Sequence, residues 1–120
     1  MKRFSFFILV ALMLSSMSAE VVLSITKTPF EAFTCSMDFT PVIGTDGITL
    51  ISVTATNGLD ATSVIIASSP APAIIPSTDK ISFRIQGGRA GETYIVSVKV
   101  ADSMTGDKFE GNVNVAVIAN

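Results

Sequence analysis

Residues 87–91, Gly-Gly-Arg-Ala-Gly, put three glycines into five positions, and aspartates recur at 38, 46, 60, 79, 102 and 107. A glycine-rich loop cradles phosphate when it joins a strand to a helix N-terminus, because exposed N–H groups and the helix dipole then face the anion. Here Gly91 leads into Glu92-Thr93-Tyr94 and alternating valines, which is a strand pattern. No Lys-Ser or Lys-Thr follows the glycines, and Glu92 would repel phosphate. A turn is the better expectation: Gly87, Gly88 and Gly91 accept positive φ where other residues meet a steric penalty. Tyr94 then stands at the start of the penultimate strand, where sandwich folds place a tyrosine whose hydroxyl bonds back to the preceding corner.

The aspartates fall mainly at turns and strand ends, where a carboxylate organises its own backbone. A calcium site from Asp102, Asp107 and Glu110 is the sharper alternative, but their spacing fits no calcium-loop pattern. No carboxylate pair is singled out for hydrolytic work. The chain has no histidine and one cysteine, Cys35, so nucleophilic triads and most zinc sites lack their members. Cys35 has no disulfide partner and reads as a small buried hydrophobe. No catalytic, cofactor-binding or metal-binding residue is assigned, and an enzyme is not expected.

The elements that carry these residues repeat with period two. Phe33, Cys35, Met37 and Phe39 share one face, opposite Thr34, Ser36 and Asp38. Ile48 to Thr56 is rich in β-branched residues and lies between the turn dipeptides Asp46-Gly47 and Asn57-Gly58. Thr62 to Ala67 reads as a short apolar strand. Ser68 to Ser77 holds three prolines, which suits an extended edge segment crossing between sheets with Ile74 and Ile75 in the core. Ile81, Phe83 and Ile85 face inward on one strand. Tyr94, Val96, Val98 and Val100 do so on the next, with Ile95 outside, and Val113, Val115 and Val117 on the last. Residues 102–106 form a hairpin loop. Residues 21–26 are a further strand or a linker, and no helix is expected after the leader. The fold class is all-β, an immunoglobulin-like antiparallel β-sandwich of about seven strands, with a small barrel as the other possibility.

Residues 1–19 precede that domain, which spans 20–120. Lys2 and Arg3, an apolar run from Phe4 to Leu14 and small residues to Ala19 read as a signal peptide or apolar leader, cut after Ser18 or Ala19. A membrane anchor or a buried apolar arm are the other readings. The expectation is a short apolar N-terminal helix ahead of the sandwich. From Glu20 onward ten acidic side chains face six basic ones, a net charge of −4, because Lys2 and Arg3 lie in the leader. Such a domain is a poor match for nucleic acid or anionic lipid.

From Lys27 onward the chain resembles small bacteriophage fiber–tail adaptor or minor tail structural proteins. The resemblance lies in residues 27–56, where Lys27-Thr28-Pro29 leads to Asp38-Phe39 and then to Asp46-Gly47-Ile48. It lies also in residues 85–100, which match a GG-x-AGE-x-Y signature, and in the closing hairpin. Phe39 stands where the family commonly has tryptophan, and the leader is outside the family pattern. The resemblance implies a non-enzymatic virion adaptor in a tail or neck, multicopy or homo-oligomeric, joined to other virion proteins and needing no cofactor, nucleic acid or small-molecule substrate. The alternative is an exported immunoglobulin-like binding or adhesion module of a bacterial envelope, secreted or periplasmic.

Overall fold

A computed structural model describes residues 5–8, 22–44 and 46–119 of the chain. Eight strands are present among them: β1 (Ser5–Ile8), β2 (Val22–Lys27), β3 (Phe33–Asp38), β4 (Ile48–Thr56), β5 (Ala73–Ile74), β6 (Lys80–Ile85), β7 (Thr93–Asp102) and β8 (Lys108–Val117). They form two four-stranded sheets, ordered β1-β3-β6-β5 and β2-β8-β7-β4. Pairing is antiparallel except at two edges, where β1 runs parallel to β3 and β2 parallel to β8.

The alternation in the sequence is what closes the sandwich. Every second residue of β6 and β7 is dry: Ile81, Phe83 and Ile85 from one sheet meet Val96, Val98 and Val100 from the other, all buried. Phe33, Cys35, Met37 and Phe39 join them, as do Val113, Val115 and Val117. Ile95 stays outside as expected. The crossing expected of the proline segment is made before it: Ile66 already bridges to Ile85 and the Ala67 N–H donates to the Arg84 carbonyl (2.9 Å), so the segment runs along β6 and pairs with it as the two-residue edge β5. Ile74 is half-buried and packs against the core as expected, whereas Ile75, also half-buried, is not part of it.

Three expectations are corrected. Ser5–Ile8 is a strand paired to β3, not a helix; the rest of the expected leader lies outside the described residues. Thr62–Ile65 is a one-turn helix, α2, followed by a single bridge from Ile66 to Ile85, where an apolar strand was expected. A matching turn, α1, spans Thr40–Ile43. The cause is a local device used twice. Asp60 Oδ1 accepts from the Thr62 N–H (3.0 Å) and hydroxyl (2.7 Å), and Asp38 Oδ1 accepts from the Thr40 N–H (2.9 Å) and hydroxyl (2.6 Å). Such side-chain bonds offer the backbone a turn in place of a sheet ladder. The repeat D-x-T-x-V-I at 38–43 and 60–65 marks both turns, and each buries its isoleucine, Ile43 and Ile65.

Candidate functional site

The glycine segment forms the corner between β6 and β7. Gly87, Gly88 and Gly91 have φ of 57°, 98° and 92°, and the chain enters β7 with no helix after them. Tyr94 Oη accepts a hydrogen bond from the Arg89 N–H at 3.0 Å, and its ring is buried. The segment is therefore a tyrosine-pinned turn and not an anion cradle. Tyr94→Phe keeps the ring and orphans the Arg89 N–H, so it is expected to lower stability by about 1 kcal/mol, the net value of one such bond. Urea unfolding of the two proteins checks this, and an unchanged midpoint would remove the corner from the stability account.

Lys27, at the end of β2, is a residue that the pattern reading passed over. It lies in phase with Leu23 and Ile25 on a dry stripe and is only 1% exposed. Its ammonium donates to the Thr28 carbonyl (2.8 Å) and to the Gly87 carbonyl, so it ties the β2 edge to the corner. Burial lowers its pKa, and the nearby Glu31 carboxylate partly restores it. The sequence signal was a cation at an inward-facing position, which is rare unless its donors are used.

Asp38, Asp46, Asp79, Asp102 and Asp107 gather at the opposite end, carried by the β3, β6, β7 and β8 termini and the 44–47 loop. Asp102 is spent on its own hairpin: Oδ1 accepts from the N–H groups of Met104 (2.8 Å) and Thr105 (3.1 Å). Burial pushes Asp102 up, but those amides and a hydrogen bond shared with Asp46 leave it below the usual carboxylate range. Asp46 moves the other way, raised first by that shared bond, then by burial and by the charges of Asp102 and Asp79. Among the described residues, no group of three or more histidine, cysteine or acidic side chains is arranged to hold a metal ion, so Asp102, Asp107 and Glu110 do not converge.

A carboxyl whose folded pKa exceeds its unfolded value, about 3.9 for aspartate, contributes stability below that value and loses it as pH rises through the folded pKa. At pH 7 an ionised Asp46 therefore opposes folding beside Asp102. Asp46→Asn keeps a donor for Asp102 and is expected to melt higher than the parent at pH 7, with the gap closing toward pH 3. Thermal melts across that range check it; a gap that is constant with pH would refute the pairing.

Cys35 is fully buried, and burial pushes its thiol up to about 12. It packs as a core hydrophobe. A shallow groove of about 330 Å³ is lined by Ile51, Lys99, Val100, Lys108, Phe109 and Glu110. Beside it, β4 is bulged: Leu50 faces Val100 and Ser52 faces Lys99, so Ile51 has no partner on β7 and is 48% exposed. No helix among the described residues is long and apolar enough to cross a membrane. No family model, curated protein or solved structure matches the chain.

Proposed function

We propose that the chain is an immunoglobulin-like structural adaptor of a phage virion, acting through its surfaces and not through chemistry. The observation that carries this reading is the GGRAGETY stretch. The residues that resemble the adaptor signature are also those that build the tyrosine-pinned corner, with Tyr94 bonded back to Arg89. The strand order supports the immunoglobulin-like class. β5, β6 and β3 lie together in one sheet and β4, β7 and β8 in the other, and the N-terminal strands β1 and β2 add an edge to each. Pairing of Ser5–Ile8 with β3 supports a place for these four residues in the fold, which suits a virion component that assembles in the cytoplasm and needs no export signal.

Mass spectrometry of purified particles tests the proposal. The chain is expected in the particle fraction with its N-terminal residues intact. Its absence there, with recovery from culture supernatant or periplasm, overturns the reading. The composition of residues 1–19 motivates the second reading, an exported binding module on the same fold, and a mature N-terminus at Ala19 or Glu20 would select it.

A further inference from the structure

We propose that Asn57 is a self-modifying site. Its side-chain amide is lost to the backbone nitrogen of Gly58, and the acid that replaces it releases the loop after β4 from the Gly87–Gly91 corner.

The pair Asn57-Gly58 sits in the exposed loop 57–60 between β4 and α2. The Gly58 nitrogen attacks Asn57 Cγ as its proton passes to hydroxide. A C–N bond forms and closes a five-membered succinimide. The Cγ–Nδ2 bond breaks, and ammonia leaves with a proton taken from water. Water then opens the ring. Opening at Cγ gives aspartate; opening at the main-chain carbonyl gives isoaspartate, with the chain rerouted through the side chain. Nothing is oxidised or reduced: water enters and ammonia leaves.

Two observations favour the reaction at this position. No Cβ crowds the Gly58 nitrogen, and nothing lies within 4 Å of where one would stand. The Gly58 N–H donates to the Thr56 hydroxyl (3.1 Å) and not to a ladder carbonyl. Asn112 and Asn114 lack both features. They lie inside β8, paired to β2 on one side and β7 on the other, and each is followed by a buried valine, Val113 or Val115.

The amide that is lost also carries a bridge. Asn57 Nδ2 donates to Glu92 Oε1 and so ties the loop to the end of the corner. Glu92 is anchored there: its N–H donates to the Arg89 carbonyl (3.1 Å), and its own carbonyl accepts from Val117 (2.9 Å). Only the amide nitrogen can donate to that carboxylate. After conversion an oxygen stands in its place, so two carboxylates face each other and repel. The bridge opens. The far end of the loop stays tied, since the Ala61 N–H donates to the Ala55 carbonyl (2.8 Å). The release is therefore local to residues 57–60.

The test uses the full chain, aged in mildly alkaline buffer and compared with a fresh sample. Cleavage after lysine and arginine separates residues 28–80, whose only asparagine is Asn57, from residues 109–120, which hold the others. The 28–80 fragment is expected to gain the mass of an amide-to-acid conversion and to become a substrate for isoaspartyl methyltransferase, while 109–120 stays unchanged. Gly58→Ala should convert at least roughly tenfold more slowly, because its Cβ crowds the attacking nitrogen. Asn57→Gln would have to close a larger ring and should not convert, which keeps the test decisive if Gly58→Ala fails to fold. For the release, Asn57→Asp should unfold at a lower urea concentration than the parent. Glu92→Gln should restore the midpoint in that background by returning a donor to the pair. No gain in 28–80, an equal gain in 109–120, or conversion of Asn57→Gln at the parental rate overturns the modification. An Asn57→Asp midpoint that matches the parent, or one that Glu92→Gln leaves unchanged, overturns the release.

Discussion

Phe39→Ala is expected to remove about 3–5 kcal/mol from the unfolding free energy, the cost of deleting a fully enclosed phenyl ring. Phe39 is completely buried where β3 ends, and its backbone supports three hydrogen bonds that alanine would keep. Its N–H donates to Asp79 (2.9 Å), and its carbonyl accepts from Val42 and Ile43 (3.0 Å each). The loss is therefore of packing and not of chain path. Opposite it, Gly111 of β8 has no side chain, and a Cβ there would collide with the Met37 sulfur and lie 3.6 Å from Phe39 Cζ. The ring and the thioether occupy the space that glycine leaves. Against a typical domain stability of about 5–15 kcal/mol, the substitution consumes a large share of the total. Urea unfolding should show a lower midpoint with an unchanged slope. A double-mutant cycle tests the collision itself: Gly111→Ala should be less destabilising in a Met37→Ala background, with a coupling of about 0.5–3 kcal/mol. Additive effects would mean that the Met37 sulfur does not fill the space that Gly111 leaves.

The parts of the fold that were legible are those where one face is dry. β3, β4, β6, β7 and β8 were readable because Ile81, Phe83 and Ile85, or Val96, Val98 and Val100, alternate with polar neighbours, and only a half-buried strand produces that rhythm. The corner was readable because three glycines precede a tyrosine at a fixed offset from a strand. Thr62–Ile65 was not, since a run of apolar residues has no period that separates a strand from a buried turn. The deciding group there is the Asp60 carboxylate, two residues upstream. Lys27 was missed for a related reason. Its role depends on the Gly87 carbonyl, sixty residues away in sequence, which no local pattern reports. The β4 edge was also illegible, because whether a strand is central or peripheral depends on neighbours that its own residues do not name.

Gly88→Ala is the second large effect, at about 2–5 kcal/mol. Two costs combine at this position: a left-handed backbone, about 1–2 kcal/mol for a residue with a Cβ, and overpacking, about 1–3 kcal/mol. The φ of Gly88 is 98°, and a Cβ would sit 2.8 Å from Val117 Cγ2, 3.2 Å from Ile65 Cδ1 and 3.4 Å from Tyr94 Cε1. Gly91 separates the two costs, because its φ is 92° and nothing lies within 4 Å of the Cβ position. Gly91→Ala should therefore carry only the backbone cost, about 1–2 kcal/mol. If the two alanine variants unfold at the same urea concentration, the close approach of the corner to the core contributes nothing. The expected inequality has a structural consequence. The bare backbone at Gly88 lets the corner lie against the Tyr94 ring, which puts the Arg89 N–H within reach of the hydroxyl. Displacing that backbone should break the bond, so Tyr94→Phe should become nearly silent in the Gly88→Ala background. Glycine and tyrosine then act as one unit, the first by clearing space and the second by pinning the turn that the space allows.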